Sequence, residues 1–509
     1  MNTFLNEMKN NTNFDYTENG GLTRKTTTSK VLDMFGMGGA YRERSDSDVI
    51  LLFKEAFGED ALLAMKCLFY LRDIRGGQGE RRFFRVAFRW LCNTYPEIAK
   101  KNLINVSEYG RWDDLIYTTV GTKCQIDAFN IIKHQLALDI KCKTPSLLAK
   151  WMPSQNASNE YTKKLGYILA NFLGMTSREY RKTLSVLRER INVLERLMSA
   201  NRWDEIEFDK IPSKAGLIYK NAFARRDILA KRYEAFAKSD ETKVNADALY
   251  PHDIAHMALR GAQCKDIEDP ERLMLQKYWD NLKDFYNGRE ENGLAVVDVS
   301  GSKYGTPIEA AISMGAYIAD KAHGPFANHF ITFSAYPKLV EFKGIDIVDK
   351  FNRCADADWG MNTNIQAVFD MLLDTAKKKR VRPEDMPTRL YIFSDMEFDE
   401  CVFFDNSSFK LSQDIWGGWS RRNGVSSIEE VNSNLERIKQ HWEAAGYKMP
   451  SVIFWNLNAR HNHIPAIGDG FSYVSGFSPS MIDCILSGKD GYDLMLEKLI
   501  SDRYSAITI

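Results

Sequence analysis

Leu294-Ala295-Val296-Val297-Asp298-Val299-Ser300-Gly301-Ser302 decides how the second half of this chain folds. Four consecutive apolar residues predict a short β-strand buried on both faces. The strand ends on an acid followed by two hydroxyls at alternate positions. On a tight turn, with Gly301 free to bend the backbone, Asp298, Ser300 and Ser302 gather three oxygens at one point. Hard divalent cations such as magnesium take oxygen ligands in an octahedron and retain water or accept a partner's oxygen.

Downstream, the same texture repeats. Pro307 to Ala322 predicts an amphipathic helix, His329 to Phe342 strands, and Asn364 to Lys378 a helix. Leu390 to Ser394 is a second buried strand, Ile428 to Ala445 a helix, Ser451 to Leu457 a third buried strand, and Tyr492 to Ser501 a helix. Buried strands alternating with helices predict a doubly wound, mostly parallel α/β sheet, whose ligands sit at the carboxyl ends of its strands. Two further oxygen donors fall there. Thr363 lies on a loop before a helix, and Asp395 ends the second buried strand.

Upstream the pattern changes. From Lys30 to Tyr286 apolar residues recur at three and four, punctuated by Gly76-Gly77, Gly110, Pro145, Pro153, Gly174, Pro212 and Pro251. This predicts many short helices stacked as a HEAT-like repeat array. Polar residues 287–293 predict a linker, and residues 1–28, rich in Asn, Thr and Gly, a flexible N-terminal tail. The expected organisation is therefore a tail (1–28), a helical array (29–286), a linker (287–293) and an α/β domain (294–509).

A formal net charge of zero excludes a global field that would draw the chain to nucleic acid or membrane, so any electrostatic partner must be met by local patches. The 8 cysteines form no CxxC pair, the pattern of reduced thiols in a cytoplasmic protein. The first residues are polar and lack a secretory apolar core, and no run reaches the ~20 apolar residues of a membrane span.

Asp-x-Ser-x-Ser after the first strand, a loop Thr and an Asp after a later strand resemble the metal-ion-dependent adhesion site of von Willebrand factor A domains. The resemblance implies Asp298, Ser300 and Ser302 as ligands from the first loop, Thr363 from the second and Asp395 from the third. It implies magnesium or manganese as the ion, with some ligands acting through water and an acidic residue of a protein partner completing the shell. The site offers no nucleophile–base pair, so the expectation is a binding protein rather than an enzyme.

A helical array followed by such a domain is similar to the Ro ribonucleoprotein family, whose TROVE module is a ring of helical repeats. The stretches that carry the likeness are 70–81, 109–114, 173–182 and 211–215, and they resemble still more closely a TROVE-like family of plants and large phages. The resemblance covers about Lys30 to Ile509 and implies RNA on an outer basic surface, with single-stranded ends entering the ring. Basic residues outnumber acids between Leu71 and Trp90 and again between Ser177 and Arg190. Arginines with aromatic neighbours can track phosphates and stack bases. The RNA-contacting candidates are Arg72, Arg75, Arg81, Arg82, Arg111, Arg178, Arg181, Lys182 and Lys214. The alternative is a metal-dependent adaptor that captures a partner carboxylate without RNA.

Lesser features complete the reading. Gly76, Gly77 and Gly79 could present amides to a phosphate or turn one helix into the next. His252 and His256 stand one helical turn apart, with zinc weighed against a capped helix start. His461 and His463 follow the third buried strand and should share the rim with the metal. Glu397 to Val425 is a long stretch with the proportions of a lid or recognition element.

Overall fold

The computed structural model describes residues 13–242, 244, 246, 249–262, 265–298, 306–333, 336–355, 364–399 and 434–509. Helices dominate residues 30–280, and several start on residues that cap or preorganise a first turn. Ser45 and Asp48 make a reciprocal capping box for Asp46–Glu59, as do Thr176 and Glu179 for Ser177–Arg190. Pro96, Pro251 and Pro270 open their helices at the first turn, where a missing N–H costs nothing. Consecutive helices pack on one another, as a repeat array requires, around aromatic cores such as Phe69, Phe84, Phe88 and Tyr109.

The second half is a six-stranded sheet. Its strands are β3 (Gly293–Val297), β4 (His329–Thr332), β5 (Leu339–Glu341), β6 (Arg389–Ser394), β7 (Ser451–Asn456) and β8 (Phe471–Ser475). The spatial order is β5-β4-β3-β6-β7-β8, with every neighbour parallel except the antiparallel edge strand β5. From β3 the chain crosses first to β4 on one side and later to β6 on the other. The topology therefore switches direction between β3 and β6, and their carboxyl ends open a crevice.

β8 carries no clean strand signature in the sequence. Its two serines break the apolar run, yet all five residues are buried. Ser475 explains part of this, because its hydroxyl donates to the Phe35 carbonyl and accepts from the Gly39 N–H.

Residues 13–28 correct the expectation of a flexible tail; residues 1–12 lie outside the described residues. Here β1 (Phe14–Tyr16) and β2 (Leu22–Arg24) form an antiparallel hairpin laid on the sheet domain. Thr17 donates to the Phe398 carbonyl (2.6 Å), and Thr23 donates to the Ile464 carbonyl (3.0 Å). Arg24 reaches Glu436 at 2.9 Å. Polar composition suggested a solvated segment, but these side chains are spent on backbone acceptors of another domain.

Both ends of the helical array dock on the sheet domain. The early helices Lys30–Met37 and Ala61–Arg72 meet β8 and the helix Gly491–Leu499. At the other end, helices Pro251–Met257 and Pro270–Asp280 pack on Thr306–Lys321 and Ile347–Ala355. Polar clamps fix that second contact: Trp279 donates to Asp320, Arg272 grips Asp346 with two nitrogens, and His256 meets Glu309. The array thereby closes on itself through the sheet domain.

Candidate functional site

Asp298 and Asp395 stand at the carboxyl ends of β3 and β6, the two strands that flank the switch point. The register pairs Val297 with Phe393, so each acid leaves its strand beside the other. Both are fully buried. Ser394, the residue before Asp395, donates its hydroxyl to Asp298 at 2.7 Å. Two carboxylates at adjacent strand ends are the oxygen-rich donor set that a hard divalent cation requires. Ser300, Ser302 and Thr363 lie outside the described residues.

The turn after Asp395 is unusual. Met396 has φ +69°, a left-handed conformation that costs a residue with a side chain on the order of 1 kcal/mol. That twist is followed by Glu397, whose buried carboxylate joins the same rim. Its Oε1 contacts His461 Nδ1 at 3.1 Å and His463 Nδ1 at 3.0 Å. Its Oε2 accepts the Glu18 backbone N–H at 2.9 Å. Burial pushes the Glu397 carboxyl up, but the hydrogen bonds from His463, Glu18 and His461 outweigh it and hold it down at about 2. Arg460 bridges the group, with one nitrogen 3.3 Å from Asp395 and another 2.7 Å from Glu18. The histidines fall on the rim with Asp395, as expected. Glu397 was not singled out, because in sequence it only opened a long polar stretch.

A cleft of about 560 Å³ opens beside this rim, between the helical array and the sheet. Lys214, Arg42, His252 and Tyr250 line the helical wall, and Leu457 and Asn458 line the sheet wall. Its cations are matched: Lys214 pairs with Asp253 and Arg42 with Glu80, both at 3.0 Å. The two histidines of the 252–256 segment serve separate ends. His252 is packed against Phe477, while His256 meets Glu309 across the domain contact.

The basic residues proposed for RNA divide sharply. Arg72 is buried and bonds Asp114 through two nitrogens, at 2.8 and 2.6 Å. Arg85 takes the other Asp114 oxygen, and Arg111 lies over Trp151 and pairs with Asp113. Burial raises the Asp114 carboxyl, but Arg72 and Arg85 more than reverse this and leave it below the ordinary carboxylate range. Arg82 binds Asp46 and the Tyr41 carbonyl (3.2 Å), and exposed Arg75 pairs with exposed Glu108. Arg72 is thus corrected from an RNA contact to a core ion pair. Of the two readings of the glycine stretch, the turn between helices holds: Gly77 and Gly79 donate their amides to the Asp73 carbonyl, so neither is left for a phosphate.

Arg81, Arg178, Arg181 and Lys182 are exposed, and among the described residues no carboxylate pairs with them. The last three share one face of Ser177–Arg190 through their spacing of three and four. Neighbouring Glu160–Phe172 adds exposed Tyr161, Lys164 and Tyr167.

Two family models, neither with an assigned role, match parts of this chain. Residues 292–502 match a domain of unknown function (DUF7788), and residues 17–120 and 147–285 match another (DUF2828). An uncharacterised protein of Acanthamoeba polyphaga mimivirus, L728, is 29% identical over 522 residues, spanning 94% of this chain and 85% of that protein. The crystal structure of the Deinococcus radiodurans Ro (RSR) protein aligns with 93% of this chain and 99% of its own, at 13% identity and a TM-score of 0.45.

Proposed function

We propose that this chain is a non-catalytic, cytoplasmic RNA-binding scaffold, a TROVE-like helical array closed by a von Willebrand A-type domain. The single observation that carries the reading is the face formed by Arg178, Arg181 and Lys182. Arg178 sits in the first turn of its helix, where the helix dipole opposes a cation. The acid in the same turn, Glu179, spends its carboxylate on the Thr176 cap rather than on Arg178. Three unpaired cations set beside a positive helix end make a local anion-binding surface on a neutral protein. The exposed tyrosines of the neighbouring helix supply stacking partners of the kind single-stranded RNA uses.

The test is binding of a single-stranded and a hairpin RNA across a salt series. Each phosphate contact contributes about 0.7 to the salt slope with single strands, so Arg178→Gln, Arg181→Gln and Lys182→Gln together should lower the slope by about 2. Wild-type protein that shows no salt-dependent binding to either RNA ends the proposal.

A second reading rests on the buried pair Asp298 and Asp395. With Ser300, Ser302 and Thr363 they would hold magnesium or manganese, and a partner's acidic side chain would complete the shell. Saturating magnesium should then raise the melting temperature by mass action, and Asp298→Ala should abolish the rise. Capture of a protein partner that chelator reverses, with RNA absent, would favour this adaptor role.

A further inference from the structure

We infer that Glu397, His461 and His463 form a second metal site, separate in chemistry from the aspartate pair, that takes one zinc-class transition-metal ion. Three ligand atoms, two imidazole nitrogens and one carboxylate oxygen, lie within 4.8 Å of one another. Zinc bonds to nitrogen and oxygen are about 2.0–2.1 Å, so neighbouring corners of its tetrahedron lie about 3.3 Å apart. The two nitrogen-to-oxygen separations, 3.1 and 3.0 Å, are close to that edge. Both histidines aim Nδ1 at a single oxygen, the arrangement in which one cation replaces two protons.

The donor set selects the ion. Imidazole suits zinc, cobalt, nickel and copper, whereas magnesium and calcium take oxygen. The surroundings hold the ligands in place. The Glu18 N–H fixes the far oxygen of Glu397, and the Asn19 amide donates to the Glu397 carbonyl at 2.7 Å. The left-handed Met396 turns Glu397 toward the histidines and is strain of the kind found at binding sites. Glu18, 3.7 Å from His461 Nδ1, or a water supplies the fourth corner. Arg460, the nearest cation, is already neutralised by Glu18 and Asp395. The ion enters past His461, which is about half exposed, while Glu397 and His463 lie behind it. Bound there, it would pin the loop after β7 and the N-terminal hairpin to the end of β6.

Cobalt substitution of the full-length protein tests the site. Expected are about one cobalt per chain and the intense visible absorption of a tetrahedral ion. Excess magnesium should not remove it, and Asp298→Asn should leave it intact. His461→Ala should abolish it while shifting the melting temperature of the metal-free protein by far less than the loss of bound metal does in wild type, because that ring is about half exposed; Glu397→Gln should abolish it as well. The weak spectrum of aqueous cobalt with wild-type protein overturns the site. So does tetrahedral absorption that survives both His461→Ala and Glu397→Gln, or that is lost only with Asp298→Asn.

Discussion

Two arginine-rich stretches of this chain look alike in sequence and do opposite work. Between Leu71 and Trp90 most guanidinium groups, exposed Arg81 apart, are held by partners within the fold. Arg72 and Arg85 converge on Asp114, and Arg82 ties down a carbonyl and an acid. Between Ser177 and Arg190 the first cations face solvent and, among the described residues, pair with no acid, Glu179 being taken by the Thr176 cap, while Arg188 further along is spent on the carbonyls of Ala149 and Met152. The comparison teaches that a basic cluster is defined by its counter-charges rather than by its own residues. An arginine becomes available to a ligand only when the fold brings no carboxylate to it.

The largest effect should come from the inner stretch. Asp114→Ala leaves Arg72 buried without a partner and strips Arg85 of one of its two acids. Loss of a buried pair of this kind costs about 3–5 kcal/mol, measurable by urea unfolding. RNA affinity at a temperature where the variant remains folded should not change. A variant that unfolds normally but loses RNA would place the inner arginines in the interface and dissolve the distinction.

Next in size is a cleft-lining imidazole whose acid partner, Asp253, stands no nearer than 4.0 Å. His252 has its Nδ1 unbonded and its ring between Tyr250 and Phe477. Burial is the main cause that pushes its pKa from 6.5 down to about 4. Below pH 6.5 the unfolded chain therefore takes up a proton that the folded chain refuses. Stability falls as pH drops from 6.5 to 4 and falls no further on this account below that. The contribution is about 2–3 kcal/mol across the window. His252→Gln should remove it, seen as a flatter dependence of unfolding free energy on pH. An unchanged slope would mean that the ring is hydrated.

The outer stretch should show the reverse pattern. Neutralising Arg178, Arg181 and Lys182 together should leave urea unfolding within about 0.5 kcal/mol of wild type, as surface changes do. RNA affinity at physiological salt should fall at least tenfold, read by fluorescence anisotropy. A loss of stability without loss of affinity would return this face to the structural class.

What the sequence disclosed follows the range of the interactions. Asp298 and Asp395 were legible because each ends a short apolar run, a signal contained within a few residues. The helical array was legible through its periodicity and its proline and glycine punctuation. Glu397 was not, because its partners lie 64 and 66 residues further on and the turn that aims it depends on a left-handed Met396. The sorting of arginines was hidden for the same reason. Asp114 lies 42 residues from Arg72, and no periodicity announces that they meet. Residues 13–28 resembled a tail because the carbonyls that order them belong to Phe398 and Ile464.

The smallest expected effect is the sharpest test of the rule. Arg75 belongs to the inner stretch by sequence but to the outer class by exposure, at 61% with its partner Glu108 at 66%. Its guanidinium also bonds the Glu108 carbonyl at 3.0 Å, so its charge is locally matched although both groups are wet. An exposed pair of this kind contributes about 0–1 kcal/mol, so Arg75→Ala should shift stability by no more than that. If the presence of a counter-charge decides availability, the same variant should leave RNA affinity unchanged within twofold, and Glu108→Ala should raise it by releasing the cation. If exposure alone decides, Arg75→Ala should weaken RNA binding about as much as Arg178→Ala does. Measuring both single variants and Glu108→Ala at one salt concentration separates the two rules, because only the first predicts a gain from removing an acid.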